Sequence, residues 1–199
     1  SHAASWRVST KDYSGSLVEL VRQQSVGPAV KSLRQQIAAW IGTCDAMLVL
    51  VPADLASQDD DARLIFRRAM ESLLAVFNGS SHPGPLPICL AVTKSDMLPM
   101  AVPGGLSVLT GEPQGALPAW LDELVSLVRH QVGDAHAKVF LTSAFGGHDQ
   151  NDPARPPTAG PTPKGLEEPL TWMLRESDRC LVDAAITAAE RSLTHWPVS

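Results

Sequence analysis

The chain has 199 residues, 44% of them hydrophobic and 19% charged, with a formal net charge of −5. That balance suits one soluble globular domain with a sizeable core; it argues against a disordered chain and against the basic face by which proteins hold nucleic acid. No apolar stretch approaches the length of a membrane span, and the first residues do not read as a signal peptide. The three cysteines (Cys44, Cys89, Cys180) lie in or beside apolar segments without metal-like spacing, so buried thiols in a reducing, cytoplasmic setting are expected.

Residues 1–5 read as tag or cloning residue, leaving 6–199 as a single α/β domain. Along 6–12, Trp6, Val8 and Thr10 alternate with Arg7, Ser9 and Lys11, which predicts a short strand leading into Asp12-Tyr13-Ser14-Gly15. A helical stretch from Ser16 to about Gln24 breaks at Ser25-Val26-Gly27-Pro28. Pro28 can open a second helix, along which Val30, Leu33, Ile37, Trp40 and Ile41 recur at helical spacing until Gly42. Residues 45–51 read as a buried strand ended by Pro52. Ser57 can cap the next helix, with Asp59, Asp60 and Asp61 near its positive N-terminal end. Three aspartates on consecutive helical positions point in different directions, so they complement the helix dipole and do not converge on a metal. Phe66, Ala69, Met70, Leu73, Leu74 and Phe77 form the core stripe of that helix, and 78–85 is a loop.

The apolar run Pro87–Val92 reads as a parallel strand buried on both faces, ending in Thr93-Lys94-Ser95-Asp96. A long Pro- and Gly-rich connection, 97–118, precedes an amphipathic helix carrying Leu121, Leu124, Val125 and Val128, which ends near Gly133. Residues 138–143 form the last predicted strand. A second Pro-rich connection, 148–164, leads to a final helix from about Leu166 to Leu193, with Leu170, Met173, Leu174, Leu181, Val182, Ala185 and Ile186 expected inward. His130, His136 and His148 fall at helix ends or in loops, where surface placement is the default. Each gap between strands holds a helix, so the expected fold is three-layer α/β: a mostly parallel sheet of four strands with helices on both faces.

Polar groups at the carboxyl end of a parallel strand sit where open α/β sheets place ligands. Thr93-Lys94-Ser95-Asp96 resembles the Asn/Thr-Lys-x-Asp motif by which P-loop GTPases recognise guanine. Asp12-Tyr13-Ser14-Gly15 resembles their Asp-x-x-Gly motif, and Thr142-Ser143-Ala144 resembles their third guanine-recognition loop, in family order. The resemblance implies GTP or GDP with Mg²⁺ as ligands. Asp96 would accept from the ring N–H and exocyclic amine of guanine, Lys94 would lie along the base, and Thr93 would tie the loop to its neighbours. Ser143 and Ala144 would brace the base, the Ala144 N–H meeting the guanine O6. Asp12 would hold Mg²⁺ through a water, and the Gly15 N–H would reach the γ-phosphate, glycine allowing close approach of backbone.

The chain departs from that family in two respects. The phosphate-binding Gly-x-x-x-x-Gly-Lys-Ser/Thr string is absent; Gly27-Pro28-Ala29-Val30-Lys31-Ser32 and Gly160-Pro161-Thr162-Pro163-Lys164-Gly165 do not supply it. The resemblance therefore covers about the C-terminal two-thirds of such a domain, without the central first strand, and an incomplete sheet implies a protein partner or self-association. Ser16 also stands where many members carry the glutamine that orients the attacking water, which makes vigorous hydrolysis by the isolated chain unexpected. The alternative is a degenerate pseudo-GTPase that serves as a protein-interaction scaffold without nucleotide.

Overall fold

The computed structural model describes residues 28–57, 60–78, 85–98, 117–144 and 160–194. Helix α1 (Pro28–Ile41) leads to β1 (Met47–Pro52), a 3₁₀ turn (Ala53–Ser57) and α2 (Asp60–Asn78). Strand β2 (Ile88–Thr93) ends in a short 3₁₀ turn (Ser95–Met97). After α3 (Ala119–Val132) and another short turn (Asp134–His136) come β3 (Ala137–Leu141) and the long α4 (Glu167–Thr194). The three described strands form one all-parallel sheet in the order β1-β2-β3. In its register Met47 is level with Ile88 and Ile88 with Ala137, so all three strands end at about the same height.

The strand runs and helix spacings in the sequence account for these elements. Pro28 opens α1 at its first residue, where a missing N–H costs nothing. Ile37 and Ile41 of α1, Met70, Leu73 and Leu74 of α2, and Leu121, Leu124, Val125, Val128 and Val132 of α3 form one buried cluster. They meet Met47 and Val51, Ile88, Leu90 and Val92, and Ala137, Val139 and Leu141, which are alternate residues on one face of the sheet. The residues between them point the other way, where the Trp172 ring of α4 lies 6.3 Å from that of Phe140. Cys89 and Ala91 of β2 are buried as well, so the central strand is covered on both sides as its apolar run predicts.

Two expectations are corrected. Strand β1 is buried on one face only: Leu48 is 38% exposed and Leu50 60%. Among the described strands β1 is at the edge, and α4 packs more on β2 than on β1, so the second face of β1 is only partly covered by described elements. The stripe expected inward on α4 is largely outward, with Leu170, Leu174, Leu181, Val182, Ala185 and Ile186 exposed and Met173 half-buried. The helix instead buries Pro169, Glu176, Ser177 and Cys180, an equally regular stripe that suits the three described strands. Helix α2 is described from Asp60; residues 58 and 59 and the Ser57 side chain, on which the expected cap depends, lie outside the description. Asp60 and Asp61 do occupy its first turn. The strand expected at 6–12 and the helix at 16–24 lie outside the described residues. None of the described helices is long and apolar enough to cross a membrane.

Candidate functional site

Two loops meet where β2 and β3 end. β2 hands over to Lys94, whose backbone is left-handed (φ 54°, ψ 38°), and this reverses the chain into the 3₁₀ turn at Ser95. The next residues fold over themselves: Met97 N–H donates to the Lys94 carbonyl at 2.9 Å and Leu98 N–H to the Ser95 carbonyl at 3.1 Å. A left-handed non-glycine residue costs of order 1 kcal/mol, so neighbouring contacts must hold it. One such contact is the ion pair of Lys94 Nζ with Asp54 Oδ2 at 2.8 Å.

The loop after β3 continues the ladder beyond the strand. Thr142 N–H donates to the Val92 carbonyl at 2.8 Å, and Ser95 N–H donates to the Thr142 carbonyl at 3.1 Å. Thr142 Oγ1 adds a bond to the same Val92 carbonyl at 3.2 Å. Ser143 exchanges both backbone bonds with Lys164, at 3.0 and 2.8 Å, which fastens the loop to the segment entering α4. Gly165 allows that crossing. Its φ is +65°, and a Cβ there would stand 2.3 Å from the Leu141 carbonyl oxygen.

These backbone ties bring two side chains together: Ser143 Oγ donates to Asp96 Oδ1 at 2.6 Å. Ser143 is buried and Asp96 half-buried, so the hydroxyl orients the carboxylate from beneath. Thr93 is half-buried at the last position of β2, while Lys94 and Ala144 are exposed. All five residues expected to recognise a base (Thr93, Lys94, Asp96, Ser143 and Ala144) therefore gather at the carboxyl ends of adjacent parallel strands. Asp12 and Gly15, expected at the phosphate and Mg²⁺, lie outside the described residues. Among the described residues the gathered groups do not include a third carboxylate beside Asp96 and Asp54 or a nucleophile–base pair. The arrangement is suited to holding a polar ligand by hydrogen bonds, with the carboxylate as acceptor.

Sequence reasoning missed Asp54, Lys164 and Gly165. Asp54 lies two residues past the end of β1, at the same end of the sheet, and that position is the signal that would have found it. Gly165 follows Lys164 in a string considered only as a failed phosphate loop; its positive φ and close packing explain the glycine structurally.

At the opposite, amino-terminal end of β3 a second cluster departs from expectation. His136 is half-buried, not a surface residue, and its Nδ1 is 3.0 Å from Glu176 Oε1. Cys180 Sγ is 3.6 Å from the same nitrogen and 4.0 Å from the same carboxylate oxygen. Arg179 also bonds Glu176 Oε1. Burial raises the Cys180 thiol above its ordinary value, and the Glu176 and Asp183 carboxylates reinforce this against Arg179. His130 is exposed as expected, and His148 lies outside the described residues.

Comparison with protein-family models, with curated proteins and with solved structures gives no match for this chain.

Proposed function

We propose that this chain is a guanine-nucleotide-binding, GTPase-like domain of three-layer α/β architecture that acts as a regulatory switch. The observation that carries the reading is the Ser143–Asp96 hydrogen bond, 2.6 Å between loops that close adjacent parallel strands. Guanine offers a ring N–H and an exocyclic amine side by side, a donor pair that adenine lacks, and a carboxylate held edge-on is the acceptor that matches it. Ser143 would keep Asp96 in that orientation, Lys94 would cover the base plane, and the Ala144 N–H would serve the O6. The parallel sheet supports the assignment, since ligands of such sheets lie outside the strands' carboxyl ends.

Asp12 and Gly15 would sense Mg²⁺ and the γ-phosphate, with the phosphate cradle supplied by a further segment or a partner. Titration of GDP and ADP into wild type and Asp96→Ala tests the base assignment. GDP should bind more tightly than ADP, and the substitution should abolish the difference, a loss on the order of 100-fold for a pair of charge-assisted hydrogen bonds. Equal binding of the two nucleotides by the wild type overturns it.

A second reading is favoured by a specific observation: none of the 199 residues forms a phosphate-loop string. On that reading the chain is a pseudo-GTPase interaction module in which the Ser143–Asp96 contact only ties loops together. Its signature is absence of binding to GDP and GTP even at millimolar concentration, with full retention of the fold.

A further inference from the structure

We propose that His136, Glu176 and Cys180 form a mononuclear zinc site that fastens α4 to the start of β3, at the pole of the sheet opposite the base-recognition loops. Glu176 and Cys180 stand four residues apart on α4, so both side chains leave the same face of the helix one turn apart. His136 comes from a different element, the last residue of the turn that feeds β3. All three ligand atoms lie within 4.8 Å of one another, and the residues are buried or half-buried.

The shape of the cluster separates this reading from two simpler ones. In a nucleophile–base–acid relay the imidazole uses one nitrogen toward the thiol and the other toward the carboxylate. Here Nδ1 faces both, with Sγ at 3.6 Å and Oε1 at 3.0 Å, and Sγ and Oε1 are themselves 4.0 Å apart. That is a triangle, not a chain. A plain histidine–glutamate hydrogen bond accounts for the short side but leaves a thiol turned toward a nitrogen whose single in-plane lone pair or proton is already used.

A metal ion serves all three at once. With Zn–N near 2.05, Zn–O near 2.1 and Zn–S near 2.3 Å, a tetrahedral ion separates its ligand atoms by about 3.4 to 3.6 Å. The observed sides, 3.0, 3.6 and 4.0 Å, bracket those values and need shifts of about half an ångström or less. The mixed nitrogen, sulfur and oxygen set suits zinc and is foreign to magnesium or calcium, which take oxygen ligands. Zinc would displace the thiol proton and leave a fourth position for water. Arg179, the cation now on Glu176, is 51% exposed and can turn to solvent when the ion arrives.

The test uses the whole chain, reduced and stripped of metal. Cobalt(II) titrated alone should bind one-to-one with a thiolate charge-transfer band, and zinc should displace it. Cys180→Ser should abolish the band, and His136→Gln should weaken zinc binding by at least about 100-fold against a chromophoric chelator. Glu176→Gln, which keeps the thiol and the size of the side chain, should retain the band with weaker affinity; it also serves if Cys180→Ser does not fold. Cys44→Ser, Cys89→Ser and His2→Ala should bind as the wild type does. Absence of a thiolate band in the wild type, or affinity unchanged in both His136→Gln and Glu176→Gln, overturns the site.

Discussion

Ser143 and Asp96 are 47 residues apart in the chain, yet the serine hydroxyl donates to the aspartate carboxylate across 2.6 Å. The contact is a product of the sheet. β2 and β3 are parallel neighbours in fixed register, so residues just past their ends must meet, and the Ser95 N–H to Thr142 carbonyl bond fixes how they meet. Position along parallel strands thus brings two separate short strings together.

Ser143→Ala should therefore act on both fold and site. Removing a buried donor from a charged acceptor should lower unfolding free energy by about 1–3 kcal/mol, measured in urea. If the proposed function is right, the loosened carboxylate should also weaken GDP binding about tenfold, the counterpart of ~1.4 kcal/mol, without changing ADP binding. An unchanged GDP affinity in a destabilised variant would confine Ser143 to a structural role.

That meeting of loops was legible in the sequence because both strings close apolar runs of strand length. The strands expected at 87–93 and 138–143 are found at Ile88–Thr93 and Ala137–Leu141, the latter short because Thr142 and Ser143 already belong to the knitted loop. The core stripes of α2 and α3 were legible for the same reason, a single apolar face at helical spacing. On α4 the rule had two answers. Leu170 and Leu181 lie on one stripe, Trp172 and Cys180 on another, and the narrow described sheet decides between them. The pairing of Lys94 with Asp54 and the meeting of His136 with Glu176 and Cys180 were not read from the sequence. Asp54 is 40 residues from Lys94, and His136 is 40 and 44 residues from Glu176 and Cys180, which share one face of α4; only the packing of elements brings these partners into reach.

The crossing at Gly165 should be intolerant of a side chain. With φ at +65° and the Leu141 carbonyl oxygen 2.3 Å from the place of a Cβ, Gly165→Ala combines backbone strain with a clash against backbone that cannot turn aside. A loss of about 2–4 kcal/mol is expected, seen as a lower urea midpoint at unchanged slope. Gly160→Ala is the control. Its φ is +85°, but nothing lies within 4 Å of a Cβ there, so only the conformational cost of about 1 kcal/mol should appear. Equal losses at the two positions would show that the close approach does not matter.

Cys89 should set a limit on stability at high pH. It is fully buried in the middle strand, and burial pushes its thiol up from 9.0 to about 12, with Lys138 opposing only in part. In the unfolded chain the same thiol ionises at its ordinary value. Between about pH 9 and about pH 12 the folded state therefore keeps a proton that the unfolded state has released. Stability rises with pH only where the unfolded state binds more protons, so here it must fall. The contribution is fully present below pH 9 and is lost progressively toward pH 12, at up to about 1.4 kcal/mol per pH unit. Other groups titrate in that range too, so the readout is the difference between wild type and Cys89→Ala in urea unfolding at several pH values. The wild type should lose stability more steeply above pH 9, and parallel curves would refute the assignment. A thiol-specific disulfide reagent gives a second readout at neutral pH. Cys89 should react only as fast as the sheet opens, because a buried protonated thiol is neither accessible nor nucleophilic.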